Sequence, residues 1–204
     1  MTFIFERKML TDNTMKNDIK QAASRRNIAA AMLAAILCVA STGCRKQSLE
    51  STYSSQEDRI DSYITSQMES NEDYELVHNN GSNRIIIQAG SGNALAPGGT
   101  VSFYYAGYMF SGSISASNMF ATNWQAVAEE SGWSLTDADY SVKTVRLTED
   151  ELIDGLLYGL EGVRAGEECL ILFSGKYGFG NRQVGTIPAN SALAYHIRVE
   201  SVSE

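Results

Sequence analysis

Residues 151–173 read ELIDGLLYGLEGVRAGEECLILF, and two different periods meet inside them. Leu152, Ile153, Leu156, Leu157 and Leu160 recur at helical spacing,. Thr148 and Glu151, three apart, form a capping box and predict that the helix opens there,. Its Gly155 and Gly159 each cost about 1 kcal/mol against alanine, so they predict a neighbour pressed against the helix backbone. After Gly166 the run Cys169–Phe173 has the length and composition of a buried strand,. If Ile171 and Phe173 face the core, Leu170 and Leu172 face outward, where a solvated sheet is polar. A second covering element is therefore expected.

Upstream, Ile60, Tyr63, Ile64 and Met68 mark an amphipathic helix over 56–69, with Ser54 and Glu57 as its capping box,. It is the expected cover for Leu170 and Leu172. The polar stretch 45–55 before it reads as a tether,. Strands are predicted over 84–88, 101–107, 141–147 and 192–200,. On the last of these Leu193, Tyr195, Ile197 and Val199 share one face,. Asn79-Asn80-Gly81 and Pro97-Gly98-Gly99 are turns, and Asn123 is placed to cap a short helix ended by Gly132,. Several strands, one central helix and two further strands describe an α+β domain.

The chain has 204 residues and a net charge of −8. Six bases and three acids precede Cys44; the ten bases and twenty-one acids beyond them leave −11. So acidic a surface repels phosphate backbones, and nucleic acid is not an expected partner. The early basic residues lead into the apolar run IAAAMLAAILCVA at 28–40, then Ser41-Thr42-Gly43-Cys44. A basic segment, a short apolar run and small residues before a cut site predict a signal peptide over 1–43, and the run is shorter than the ~20 residues a membrane span needs. Small residues before a cysteine resemble a bacterial lipobox, with Ser41 where leucine is more usual. Cys44 is then the lipidated residue and holds the chain to a bacterial envelope membrane. Cys169 reads as a small core hydrophobe, and no disulfide is expected. His78 and His196 stand at no metal-ligand spacing, so neither metal nor cofactor is called for,.

Three segments carry a family resemblance. Pro97-Gly98-Gly99-Thr100-Val101 followed by Tyr104-Tyr105-Ala106-Gly107 resembles the entry into the first long strand of FKBP-type peptidyl-prolyl isomerases. Leu152-Ile153-x-Gly155-x-x-x-Gly159-x-x-x-Val163-x-x-Gly166-Glu167 is similar to the helix signature of that family. Lys176-Tyr177-Gly178-Phe179-Gly180, Ile187-Pro188 and Ala192-Leu193-Ala194-Tyr195 resemble its flap and closing strand. The order and spacing agree over 82–202. The resemblance implies an antiparallel β-sheet wrapped around one short central α-helix, with the 56–69 helix outside the core. The chain divides accordingly into a signal peptide (1–43), a tether and amphipathic helix (44–81), and an FKBP-like domain (82–204). An insertion around 108–142 contains Trp124 and Trp133. It reads equally as a rim for polypeptides or as a packed surface elaboration.

Prolyl isomerisation needs no nucleophile. Rotation about an X–Pro bond takes tens to hundreds of seconds unaided, because amide resonance is lost at the transition state. An apolar, water-poor site favours the less polar twisted amide. By the resemblance, Tyr105, Phe120, Ile153, Phe179 and Tyr195 form the catalytic set, and Leu152, Leu156 and Ile187 bind substrate. Proline-containing polypeptides are the implied partners. Ile153 offers its backbone N–H to a substrate carbonyl, and Leu156 is the floor. Three positions depart from the family. Ala121 follows Phe120 where an aspartate is typical, Leu156 replaces the usual tryptophan, and Phe179 replaces the flap tyrosine. Each lost hydrogen bond to a ligand costs on the order of 1 kcal/mol, or severalfold in binding. Weakened isomerase activity is the expectation, with a non-catalytic peptide-binding or chaperone module as the alternative.

Overall fold

The computed structural model describes residues 47–133 and 139–204. The signal segment and Cys44 lie outside the described residues. Residues 51–204 form one compact unit. Helix α1 covers residues 47–70, so Ser54 lies inside it and caps nothing, and most of the expected tether is helical. The local capping pattern is present in the sequence, but the helix begins seven residues before it. Among the described residues no helix is long and apolar enough to cross a membrane.

Seven strands follow: β1 (Glu75–Asn79), β2 (Ser82–Gln88), β3 (Thr100–Met109), β4 (Met119–Thr122), β5 (Lys143–Arg146), β6 (Glu168–Phe173) and β7 (Leu193–Ser203). Among the described residues two short α-helices, α2 (Gln125–Glu130) and α3 (Asp154–Leu160), and one 3-10 turn (Ala116–Asn118) interrupt them. All pairings are antiparallel, in the order β1-β2-β6-β7-β3-β4, with β5 also pairing β3. This is the α+β architecture the residues predict. Strand β1 escaped the sequence reading, because Glu75–Asn79 carries little apolar signal. It pairs with β2 through a two-residue turn in which Asn80 and Gly81 both have positive φ, 46° and 85°,.

The sheet buries both faces. On the inner face α3 packs with Val101, Phe103, Ile171, Phe173, Leu193, Tyr195, Ile197 and Val199. On the outer face Ile60 and Ile64 of α1 join Ile85, Tyr108, Phe110, Leu170 and Leu172. The alternation in β6 thus feeds two cores, and α1 is the cover that Leu170 and Leu172 demanded. The segment after β3 contributes Ile114, Met119, Val127 and Trp133 to this outer cluster. Phe120 of the same segment packs against the inner cluster instead.

Helix α3 begins at Asp154, with Ile153 as its extended N-cap residue (φ −70°, ψ 151°), so the capping box at Thr148 and Glu151 does not open it. Glu151 instead accepts the Arg146 N–H, and its own N–H and that of Leu152 donate to Thr148 O, closing a turn. The acidic run Glu149-Asp150-Glu151 belongs to that turn, not to the first turn of the helix. The two helical glycines meet β6 as expected. A Cβ on Gly155 would lie 2.3 Å from Phe173 Cγ, and one on Gly159 would lie 2.3 Å from Ile171 Cγ2.

Beneath α3, β2 turns two polar side chains inward. Ser82 Oγ donates to Gly155 O, and Arg84 Nη1 donates to Gly159 O and Glu161 O at the helix C-terminus,. Arg84 also pairs with buried Glu167, Nε to Oε1 at 3.2 Å. Burial pushes the Glu167 carboxyl up from its ordinary value, and Arg84 pulls against that shift,.

Candidate functional site

Tyr195 is the hub of the inner face. Its ring stacks on Phe173 (centroids 6.0 Å apart, planes 18°), meets Phe120 edge-on (5.8 Å, 83°) and lies 6.2 Å from Tyr105. These separations are those of favourable aromatic pairs. Leu152, Ile153, Leu156, Phe179 and Ile187 pack in the same cluster. Leu156, Ile187 and Tyr195 are buried in it, whereas Tyr105, Phe120, Leu152, Ile153 and Phe179 are only half-buried. All eight residues singled out from the sequence are therefore together. Phe179 joins without appearing in any of the ring pairs around Tyr195.

Two backbone devices aim Phe120. Gly107 pairs Ala121 and Tyr108 pairs Met119, leaving Phe120 as the extra residue of a β-bulge. The bulge lets Met119 enter the outer core while Phe120 turns to the inner one,. Gly107 leaves the room: a Cβ there would lie 2.7 Å from Phe120 Cζ and 3.1 Å from Tyr195 Cε1. Gly107 and Phe173 are thus site residues that sequence reasoning passed over. The spacing of Tyr105 and Gly107 carried the signal for the first; only the stacking contact identifies the second.

The site is poor in polar groups. Ile153 accepts from the N–H groups of Leu156 and Leu157 at 3.0 and 2.9 Å, while its own N–H makes no hydrogen bond to any described residue. A donor in extended backbone just before a helix is available to an incoming carbonyl. Burial raises the Tyr195 phenol well above its ordinary value, with Tyr105 adding to the shift, and burial also raises Tyr105,. Both phenols stay protonated at neutral pH.

Thr122 and Asn123, beside the Ala121 that stands where the family has its acid, point their polar atoms elsewhere. Asn123 is buried in the gap between β4 and β5 along the edge of β3. Its Oδ1 accepts the Tyr105 N–H at 2.6 Å, and its Nδ2 donates to Phe103 O and Ser141 O. Thr122 Oγ1 donates to Tyr105 O at 2.7 Å. Asn123 therefore replaces a missing stretch of strand. It does not cap α2, whose N-cap is Trp124.

Two of the clefts among the described residues lie outside the ring cluster. One of about 370 Å³ is lined by Gln56, Phe110, Asn118 and Asn190 among others, and one of about 250 Å³ by Pro97, Leu147, Leu157 and Glu161 among others. None of the rings around Tyr195 lines either.

An antiparallel sheet wrapped on one short helix, with an aromatic cluster packed against that helix, is the fold that the resemblance implied. The FKBP-type peptidyl-prolyl cis-trans isomerase family model matches residues 92–200. The chain belongs to that family and is an isomerase by membership. It is 24% identical over 123 residues to FK506-binding protein 1 of Aspergillus oryzae, covering 60% of this chain and 99% of that protein. Among solved structures, FkpA from Escherichia coli superposes with a TM-score of 0.52 at 19% identity, over 78% of this chain and 64% of that one. A peptidyl-prolyl cis-trans isomerase from Pseudomonas syringae pv. tomato matches at 0.50 and 16%, over 76% and 96%.

Proposed function

We propose that this FKBP-type isomerase acts on exported proline-containing polypeptides, is held to a bacterial envelope membrane through lipidated Cys44, and turns over more slowly than its family's pattern implies. The carrying observation is the ring cluster around Tyr195 set beside the Ile153 N–H, which bonds to no described residue. A prolyl ring enters among Tyr105, Phe120 and Tyr195, and the carbonyl preceding proline turns toward Ile153. Desolvation removes water's preference for the planar amide, and the walls favour the twisted one. The reduced rate follows from Ala121 and Phe179, which offer no side-chain donor or acceptor, and from Thr122 and Asn123 being committed to β3. That commitment also favours a second reading, a peptide-holding module without turnover.

A protease-free assay over an Ala-x-Pro peptide series separates the two. Phe120→Ala and Tyr195→Ala each remove an aromatic wall, and a loss of at least about 1.4 kcal/mol at the transition state lowers kcat/KM tenfold or more. Background turnover by the native protein with every peptide, but saturable peptide binding, selects the holding module. Palmitate labelling that survives Cys44→Ser rules out the anchor.

A further inference from the structure

The segment between β6 and β7 carries Phe179 and Ile187, and its two stems leave the sheet where the last rung pairs Phe173 with Leu193. Beyond that rung one side chain of α1 joins them. Gly175 N–H donates to Gln56 Oε1 at 2.8 Å, and Gln56 Nε2 donates to Asn190 O at 2.6 Å. One carboxamide thus spends its acceptor on the first stem and its donor on the second. Gln56 is buried at 7% exposure, and a buried amide is costly unless bonded in this way,. Neighbours on the helix reinforce it. Tyr53 OH donates to Asn190 Oδ1 at 2.7 Å, and Ser174 Oγ donates to Glu57 Oε1 at 3.1 Å. The stems leave no slack: Asn190 has φ +60°, its N–H donates to Gly180 O at 2.6 Å, and a Cβ on Gly175 would lie 2.5 Å from Asn190 O.

We infer that Gln56 is a positioning residue for the isomerase site: it supplies the missing rung across the stems and so fixes where Phe179 and Ile187 meet the ring cluster. Helix α1 is seated independently, by Ile60 and Ile64 on the outer face. Gln56 is not needed to hold the helix down, which leaves the loop as what it holds. The inference rests on the isomerase reading for its effect on turnover, but not for its effect on the loop.

The test compares the full chain with Gln56→Leu, which keeps the bulk and loses both bonds, and Gln56→Glu, which keeps an acceptor for Gly175 and lacks the donor for Asn190. Arg59→Ala, an exposed position on the same helix, is the control. Backbone amide exchange is read over 175–191 and over β6 and β7, alongside kcat and KM. Gln56→Leu should speed exchange in the loop at least tenfold, leave the strands unchanged, and raise KM severalfold with kcat nearly constant. Gln56→Glu should fall between it and the native chain. Native-like loop exchange in Gln56→Leu overturns the inference, as does acceleration spread equally over loop and strands. If Gln56→Leu does not fold, native-like loop exchange and KM in Gln56→Glu overturn it. Absent turnover by the native chain defeats the isomerase reading instead, and loop exchange then decides the clamp alone.

Discussion

Replacing Gly155 with alanine should destabilise this domain, although alanine is the better helix former. The gain is bounded by helix propensity, at most about 1 kcal/mol, and is smaller near a helix terminus. Against it stands a Cβ 2.3 Å from Phe173 Cγ and 2.4 Å from both Cδ atoms. Ordinary contact begins about 1 Å further out, and Phe173 has no exposed surface into which to retreat. Its ring is stacked on Tyr195, so any shift carries into the site. Overpacking of this kind costs about 1–3 kcal/mol. A net loss near 2 kcal/mol lowers Tm by about 4–8 °C in a domain of this size. Thermal and urea unfolding measure the loss, and near-ultraviolet circular dichroism reports the Phe173–Tyr195 stack. A Gly155→Ala protein as stable as the native one, with an unchanged aromatic spectrum, would show that α3 does not lie so close to β6.

Two other changes probe what holds that helix and the edge of β3. Arg84→Met strips the counter-charge from buried Glu167 and the donor from Gly159 O and Glu161 O, costing about 3–5 kcal/mol,. The Glu167 pKa, already raised by burial, then rises further. A carboxyl with a raised folded-state pKa binds its proton more tightly when folded, so stability is lost as pH rises through that value. Urea midpoints of Arg84→Met should therefore recover toward native values as pH falls from neutrality toward 5, and a pH-independent deficit contradicts this account. Asn123→Ala orphans the Tyr105 N–H and Phe103 O, a loss of about 2–4 kcal/mol in unfolding free energy,. Loss of less than 1 kcal/mol would mean that water replaces the amide.

Much was legible because it is written locally. The α+β class follows from strand and helix periods. Gly155 and Gly159 announced a close neighbour, and Leu170 and Leu172 announced a second cover, since alternation in an antiparallel strand assigns side chains to faces without reference to the rest of the chain. The three glycine- and aromatic-bearing segments carry every residue singled out for the ring cluster except Phe120, and the fold packs them together. Misreadings arose where a short polar pattern was asked to set a boundary. Ser54–Glu57 and Thr148–Glu151 both match a capping box, yet one lies within α1 and the other in a turn before α3. A cap is worth about 1 kcal/mol, and packing of an apolar face outweighs it.

By itself, then, the order of residues determined which side chains are apolar, on what period they recur, and hence which elements form and which faces seek cover. Only the folded chain decided where polar side chains spend their hydrogen bonds: Asn123 in the edge of β3, Arg84 at the end of α3 against Glu167, Gln56 across the stems of the 175–190 loop. Burial of apolar surface is nondirectional and reads as a pattern along the chain, whereas a hydrogen bond needs a partner within about 3 Å at a particular angle. Those partners lie from 18 to 134 residues away in sequence, so tertiary packing alone brings them together.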